Sequence, residues 1–499
     1  MEAITSLLYG FSVLLSVQNI LFCFLGCALG TLIGVLPGIG PMGAMAILLP
    51  LTFKVPPVSV LILLGGIYYG AQYGGSTTAI LVKIPGEASS IMTCLDGYEM
   101  ARKGRAGPAL GISAFASFIA GTLGVFGLML FAIPLAQYAL HFGPPEFFGI
   151  MVLGMSIVVI LVRGSVGKGI MMALTGFMLS TVGQDIISGV PRFYFGLDSL
   201  ADGFGIVPVA MGLFGVAEIL NNIENPAPRE THGQKIRDLL PNKQDWRKAT
   251  MPIFRGSVIG FLMGILPGGG PMISTFASYA MEKKVSREPE RFGTGMIEGV
   301  AGPEAANNGA SVGAFVPLFA LGIPPNPTMA MLLGALIIHG LQPGPLLMAE
   351  HPEIFWGTVA SMYLGNIVLL VLNLPLIGMW VRILKIPYRV LFPLILLFCV
   401  IGAYSMSYNA SDVIIMMIFG VLGFLLQKMA YEPGPLILAF ILGPLLEQSF
   451  HQSLTISQGS FLIFLTRPLT LVSLLAATLL LATSILLPKR RAVIAMEGS

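Results

Sequence analysis

Long stretches without a charged residue dominate the chain. No Asp, Glu, Lys or Arg occurs from 3 to 53 or from 305 to 349, and each stretch exceeds the roughly 20 residues that one spanning helix needs. Glycine and proline recur inside these stretches, whereas a transmembrane barrel would show shorter segments of alternating polarity. The pattern predicts an all-α polytopic membrane protein with about 10–12 spans. A last apolar run, 461–487, predicts an added C-terminal helix.

One apolar segment occurs twice, 230 residues apart: Gly30–Met42 (GTLIGVLPGIGPM) returns as Gly260–Met272 (GFLMGILPGGGPM). A Pro-Gly-x-Gly-Pro run interrupts any helix that it enters. Interrupted helices at corresponding positions of two membrane-embedded halves are typical of a secondary transporter's substrate site. The alternative is that the glycines only let helices pack closely. The predicted substrate-binding residues of the two loops are Pro37, Gly38, Gly40, Pro41, Pro267, Gly268, Gly270 and Pro271.

Small polar residues follow each loop in an apolar context. Gly74-Gly-Ser-Thr-Thr78 before Ile84-Pro-Gly86 parallels Asn307-Asn-Gly-Ala-Ser311 before Ile323-Pro-Pro325. Neutral hydroxyl and amide groups can orient a carboxylate or coordinate Na⁺ without the cost of a buried ion. Hydrogen bonding between helices is the alternative. These motifs add Gly74, Gly75, Ser76, Thr77, Asn307, Asn308 and Ser311 to the predicted substrate-binding residues.

Two ionisable residues lie close to these motifs. Lys83 can pair with an anionic substrate, or extend its ammonium group to a membrane interface. Glu304 can carry a proton or bind Na⁺, and we expect Asn308 and Thr78 to join it in coupling a cation. The alternative for Glu304 is an interfacial glutamate without a role in coupling.

The duplication divides the chain into two halves. We expect a first membrane repeat at 1–222, a linker at 223–253, a second repeat at 254–450, and a C-terminal helix with a tail at 451–499. Basic residues predict that the linker, the loop at 102–105 and the tail at 489–491 are cytoplasmic. The second duplicated loop is flanked by basic residues and the first is not. The charge pattern therefore predicts two inverted repeats with re-entrant or broken helices.

Composition excludes several classes of protein. Hydrophobic residues make up 55% of the chain and charged residues 10%, against roughly 25% charged residues in soluble domains. The net charge of +3 is spread over loops, so no nucleic-acid partner is expected. The segment Gly309–Gly313 matches Gly-x-Ser-x-Gly, but it lacks the strand–turn–helix context of a serine hydrolase. We expect a transporter and not an enzyme. A passive anion channel and, more remotely, an intramembrane hydrolase are the alternatives.

Seven stretches together resemble the large membrane subunit of the tripartite tricarboxylate transporter family. They span about Gly26 to Pro345 and are specific only in combination. The stretches are Gly34–Pro41, Tyr68–Ser76, Leu95–Tyr98, Arg255–Pro271, Tyr279–Lys283, Gly302–Gly309 and His339–Pro345.

This resemblance implies a subunit of a bacterial inner-membrane secondary transporter that imports tricarboxylates or dicarboxylates. It implies two protein partners, a periplasmic substrate-binding protein and a small membrane subunit. Transport would be driven by a cation gradient, with no cofactor and no metal beyond coupling Na⁺ or H⁺. By analogy, an elevator motion would carry substrate between the two sides.

Overall fold

The computed structural model describes residues 2–36, 40–161, 165–185, 188–224, 239–268, 270–383 and 388–486. The first half contains α1 (Glu2–Leu14), α2 (Val17–Val35), α3 (Gly40–Leu48), α4 (Pro57–Val82), α5 (Ile91–Met100), α6 (Ala106–Ala139), α7 (Pro144–Leu161), α8 (Val166–Ser180), α9 (Ile206–Ala210) and α10 (Ala217–Glu224). Between α8 and α9, β1 (Gly183–Gln184) pairs antiparallel with β2 (Pro191–Arg192).

The second half is also helical. Its helices are α11 (Lys243–Ile265), α12 (Pro271–Val285), α13 (Glu298–Gly313), α14 (Phe315–Leu321), α15 (Pro327–Ile338), α16 (Pro345–Glu350), α17 (Pro352–Asn373), α18 (Ile377–Ile383), α19 (Tyr388–Ser407), α20 (Ala410–Lys428), α21 (Gly434–Ile456), α22 (Ile463–Thr466) and α23 (Pro468–Leu486). The predicted all-α class is confirmed. The predicted C-terminal helix is α23, and the basic tail at 489–491 lies outside the described residues.

Six described helical segments are long and apolar enough to cross a membrane. They are Val17–Val35, Ala88–Ala139, Ile206–Glu224, Pro352–Asn373, Ala410–Lys428 and Pro468–Leu486. Other apolar helices, such as α8 and α15, are shorter than one bilayer crossing. The protein is therefore a polytopic membrane protein, while the number of spans stays a prediction.

The chain forms two compact units, and each combines segments from both halves of the sequence. One contains Met1–His141 and Phe204–Leu425, and the other contains Phe142–Gly203 and Leu426–Ser499. In the second unit, Arg192 donates to both carboxylate oxygens of Glu447 at 2.6 and 2.5 Å. This ion pair raises the pKa of Arg192 and fastens the β-hairpin to α21. The units do not follow the expected division at the linker, and the repeat boundaries stay a prediction.

The helices that lead into the two duplicated loops pack on their neighbours in the same way. One glycine per turn of α2 lies against backbone carbonyls of α4, and α11 repeats this arrangement on α13. A methyl group added at any of these glycines would lie 2.3–2.4 Å from a carbonyl oxygen. The pairs are Gly26–Leu63, Gly30–Ile67, Gly34–Ala71, Gly256–Gly302, Gly260–Ala306 and Gly264–Ala310. The packing interpretation therefore applies to these glycines, which lie before the loops.

The shared packing also shifts the expected correspondence of the polar motifs. Gly74 meets the Thr31 carbonyl of α2, and Gly313 meets the Phe261 carbonyl of α11. When the two halves are aligned by these glycine contacts, the position that corresponds to Asn307 in the first half is Tyr68. Asn307 therefore does not correspond to the Gly74–Thr78 stretch. The two halves thus share their packing glycines at a constant spacing, while their polar residues differ.

Three basic segments meet on one side of the larger unit. Arg105 of the α5–α6 turn donates to Asp245, near the start of α11, at 2.5 Å. The neighbouring Lys103 donates to the carbonyl of Thr294, in the basic segment after α12. Segments that the sequence assigns to one side of the membrane are therefore in contact.

Candidate functional site

A buried carboxylate lies at the centre of the larger unit. The side chain of Glu304, on α13, is fully buried. Its Oε2 accepts hydrogen bonds from Ser76 of α4 at 2.7 Å and from Ser117 of α6 at 3.4 Å. Its Oε1 accepts a hydrogen bond from Thr93 of α5. Four helices from both halves of the sequence thus build one carboxylate site.

The carboxylate of Glu304 has no cationic partner among the described residues, since no Lys, Arg or His there forms an ion pair with it. An isolated ionised carboxylate is very costly away from water, so the site favours a bound proton or cation. Carboxylate and hydroxyl oxygens are the ligands that hard cations prefer. The full burial of Glu304 argues against the interfacial alternative.

The other two predicted cation ligands have different partners. Thr78 donates to the Gly75 carbonyl at 2.9 Å within α4. The Asn308 amide donates to the backbone carbonyl of Glu304 at 3.2 Å. The carboxylate of Glu304 is instead contacted by Thr93 and Ser117, two residues that the sequence analysis did not single out.

Unsatisfied amide and hydroxyl groups lie on α4 and α13 and at the residue that precedes α15. Both polar atoms of the Asn307 side chain are buried and lack a hydrogen-bond partner among the described residues, and so do the Tyr68 hydroxyl and Asn326 Nδ2. The Tyr68 hydroxyl faces Asn326 and Ser311. Buried polar groups in proteins are nearly always paired. The polar atoms of this set can therefore still pair with each other, with water or with a ligand.

A second carboxylate borders this polar set. Glu87, in the segment after α4, accepts a hydrogen bond from Ser89 and lies near Gln72 and Asn307. Gln72 Oε1 also lies 3.0 Å from the Ser89 hydroxyl, as an alternative acceptor for its hydrogen. The loop at 84–90 thus closes one edge of the polar set.

The second duplicated loop breaks its helix as the sequence predicts. The first helix, α11, ends at Ile265, and α12 begins at Pro271, where the missing N–H of proline is tolerated. Gly268 has φ +73° and Gly270 has φ +32°. The Gly268 N–H donates to the Pro325 carbonyl at 2.7 Å. The positive φ of Gly268 favours a residue without a Cβ, and Pro267 lies half-buried in the same loop.

The first duplicated loop is described only from Gly40 onward. Gly40 has φ +64° and opens α3, with open space where a Cβ would lie. Pro41 follows it and is buried. Pro37 and Gly38 lie outside the described residues.

Several of the remaining predicted residues either pack against neighbouring residues or lie away from Asn307, Tyr68 and Asn326. A Cβ at Gly75 would approach Glu87, and Thr77 is buried. Lys83 is exposed and ends α4 with φ +58°, and its ammonium group lies 5.6 Å from the ring centre of Tyr98. The structure does not bring Lys83 to Glu304.

The Gly-x-Ser-x-Gly motif lies within one helix. Residues 309–313 belong to α13, and the Ser311 hydroxyl donates to the Asn307 carbonyl at 2.9 Å. A hydrolase nucleophile requires a sharp turn between a strand and a helix. The helical setting removes the basis of the hydrolase alternative.

A further carboxylate was missed by sequence reasoning. Asp96 of α5 is fully buried and accepts hydrogen bonds from the backbone N–H groups of Gly293, Gly295 and Met296. It also accepts one from the Tyr279 hydroxyl at 2.8 Å. Asp96 fastens the helix that carries Thr93 to the segment leading into α13. Its only sequence signal was the short stretch Leu95–Tyr98, which gave no hint of a partner.

Comparison with known proteins decides the family. Residues 20–438 match the tripartite tricarboxylate transporter TctA family. The chain belongs to the TctA family. This is a family of membrane transporter components, and membership implies a tripartite transporter with other subunits.

Two proteins of Agrobacterium vitis are similar to this TctA-family chain. It is 50% identical over 491 residues, 98% of each chain, to the "Uncharacterized 52.8 kDa protein in TAR-I ttuC' 3'region". It is 49% identical over 232 residues to the "Uncharacterized protein in TAR-II ttuC' 3'region", covering 46% of this chain and 96% of that protein. No solved structure matches the chain.

Proposed function

We propose that this TctA-family protein is the membrane-embedded subunit of a secondary transporter that imports tricarboxylates or dicarboxylates across the bacterial inner membrane. A periplasmic binding protein would deliver the substrate, and a small membrane subunit would complete the system. A cation gradient, of Na⁺ or H⁺, would drive uptake. Family membership and the helical membrane fold support this proposal.

The observation that carries the proposal is the uncompensated carboxylate of Glu304. Three hydroxyl groups donate hydrogen bonds to it, and all three belong to the first half of the chain: Ser76, Thr93 and Ser117. Such a group accepts one proton or one small cation and loses it only at a free-energy cost. That property is what coupling to a cation gradient requires.

The substrate site would lie between the interrupted helices and the unsatisfied amides. The N-termini of α3 and α12, which follow the two Pro-Gly-rich loops, favour carboxylate groups. Asn307 and Asn326 offer neutral donors that orient an anion without a fixed counter-charge. Alternation between the two sides would use the duplicated halves as inverted repeats, with the linker and C-terminus cytoplasmic.

Transport by purified protein in liposomes tests the proposal against the channel alternative. The TctA-family protein is reconstituted with its small subunit, and labelled citrate or a dicarboxylate is added with the binding protein outside. We expect accumulation above the external concentration only when an inward Na⁺ or H⁺ gradient is imposed. Equilibration to equal concentrations without any gradient would instead establish a channel. Liposomes with only the small subunit measure the leak.

A further inference from the structure

A polar cavity lies at the charged end of α11, apart from the Glu304 site. It encloses about 420 Å³, within the range of small-molecule sites. Its charged lining residues are three cations and three carboxylates: Lys248, Arg255, Arg287, Glu282, Glu288 and Glu298. Met251 and Val285 form part of its apolar wall.

Some of these charges are already paired. Arg255 donates to both oxygens of Glu282 at 2.8 and 2.5 Å. Lys248 and Arg287 have no ion pair among the described residues, and Glu298 Oε2 is buried there without a hydrogen-bond partner. Arg291, which does not line the cavity, donates to Glu288 Oε2 at 2.6 Å. The cavity therefore offers Lys248, Arg287 and Glu298 Oε2 to a ligand.

An apolar surface leads away from this cavity along α11. Met251, Phe254, Val258 and Leu262 are each 50–64% exposed. Their spacing of three and four residues places them on one helix face. In a membrane protein such a face contacts lipid acyl chains, and Met251 belongs both to this face and to the cavity wall.

We propose that the cavity binds the headgroup of phosphatidylethanolamine. The phosphate pairs with Lys248 and Arg287, the primary ammonium donates to Glu298, and the acyl chains lie along the α11 face. Basic pockets beside membrane helices are known to hold lipid phosphates. Glu298 selects among lipids, because it repels a purely anionic headgroup and a choline headgroup has no N–H to donate. This site does not depend on the proposed transport function.

Lipid binding by the purified full-length protein tests the site. Native mass spectrometry and thermal unfolding compare phosphatidylethanolamine, phosphatidylcholine and phosphatidylglycerol with the same acyl chains. We expect phosphatidylethanolamine to be retained most and to raise the unfolding temperature most. Equal retention of the three lipids would overturn the proposal. Equal stabilisation by soluble phosphoethanolamine would also overturn it, since the occupant would then not be a lipid.

Variants test the contacts to the ammonium group and to the phosphate group of the lipid separately. Glu298→Gln should reduce the preference for phosphatidylethanolamine over phosphatidylcholine by about ten-fold, because one hydrogen bond between charged groups is lost. Lys248→Ala with Arg287→Ala should weaken retention of all three lipids. Lys283→Ala with Glu290→Gln, which changes exposed charges outside the cavity, should leave retention as in the wild type. Unchanged lipid preference in folded Glu298→Gln protein would refute the assignment.

Discussion

The Ser76 hydroxyl donates to Glu304 Oε2 at 2.7 Å, across 228 residues of sequence. This bond joins α4 of the first half to α13 of the second, and both residues are buried. Each helix is also the one on which a glycine-lined helix packs before a duplicated loop. The Ser76–Glu304 contact therefore joins the two helices on which α2 and α11, the helices before the Pro-Gly-rich loops, pack.

Replacing Glu304 by glutamine should abolish cation-driven uptake while the fold persists. Glutamine keeps the shape and an acceptor for the hydroxyl groups, but it cannot carry a proton or balance Na⁺. Uptake in liposomes should lose its dependence on the imposed gradient, and the unfolding temperature should stay near that of the wild type. Glu353→Gln, at a more exposed carboxylate paired with His351, is the matched control. Gradient-dependent uptake in Glu304→Gln would contradict the coupling role.

Thr93→Val tests whether the Thr93 hydroxyl is a ligand of a coupling Na⁺. Valine keeps the shape of threonine and removes the hydroxyl that contacts Glu304. If Na⁺ is the coupling ion, the Na⁺ concentration for half-maximal uptake should rise about ten-fold, as expected for a lost charge-assisted contact. Thr31→Val is the control, since that buried hydroxyl bonds within its own helix to Cys27. An identical Na⁺ dependence in Thr93→Val and wild type would exclude Thr93 as a ligand.

The sequence pointed to those candidate residues that belong to a recognisable local motif. The broken helix at Gly268 was predicted and Glu304 was named as a candidate from local patterns, because Pro-Gly runs and charges in apolar segments are rare and costly. Thr93 and Ser117 were missed because single hydroxyl residues are common in membrane helices. Their contact with Glu304 arises only from packing between helices that are 211 and 187 residues apart.

The arrangement of the units could not be predicted for the same reason. The duplicated loops suggested two halves divided at the linker, yet each compact unit contains segments of both halves. Hydropathy records which segments are apolar, and it carries no information about which apolar faces pack together. Lys83 illustrates the limit, since its sequence position suggested the site while α4 ends there and leaves its side chain exposed.

Two glycine variants distinguish loop geometry from helix packing. Gly260→Ala should lower stability, because its methyl group would lie 2.3 Å from the Ala306 carbonyl oxygen. Gly268→Ala should weaken substrate affinity of the folded protein by about ten-fold. Alanine is strained at the φ of +73° found here, so neighbouring N–H groups of the loop would shift and lose a hydrogen bond to the substrate's carboxylate. The N–H of residue 268 itself donates to the Pro325 carbonyl. Affinity and unfolding temperature are measured on both purified variants. Wild-type substrate affinity in Gly268→Ala would contradict a substrate-binding role for this loop.

Accessibility of introduced cysteines tests the orientation. The four native cysteines are buried, so the background labelling should be low. Arg102→Cys and Gln244→Cys lie in basic segments that contact each other through their neighbours Arg105 and Asp245. We expect both to resist an impermeant thiol reagent added to intact cells, and Glu350→Cys to react. Labelling of all three, or of Arg102→Cys but not Gln244→Cys, would contradict the proposed topology.

Two carboxylates on α5 should respond very differently to neutralisation. Asp96 is fully buried, and it accepts hydrogen bonds from three backbone N–H groups and from the Tyr279 hydroxyl. Asparagine would turn an NH₂ group toward some of these donors, so Asp96→Asn should lose roughly 1.5–3 kcal/mol or more of stability. Glu99→Gln removes only an exposed pair with Arg102, worth about 0–1 kcal/mol. Thermal unfolding of both purified variants measures the contrast, and a similar small shift in each would show that Asp96 does not hold α5 to the segment before α13.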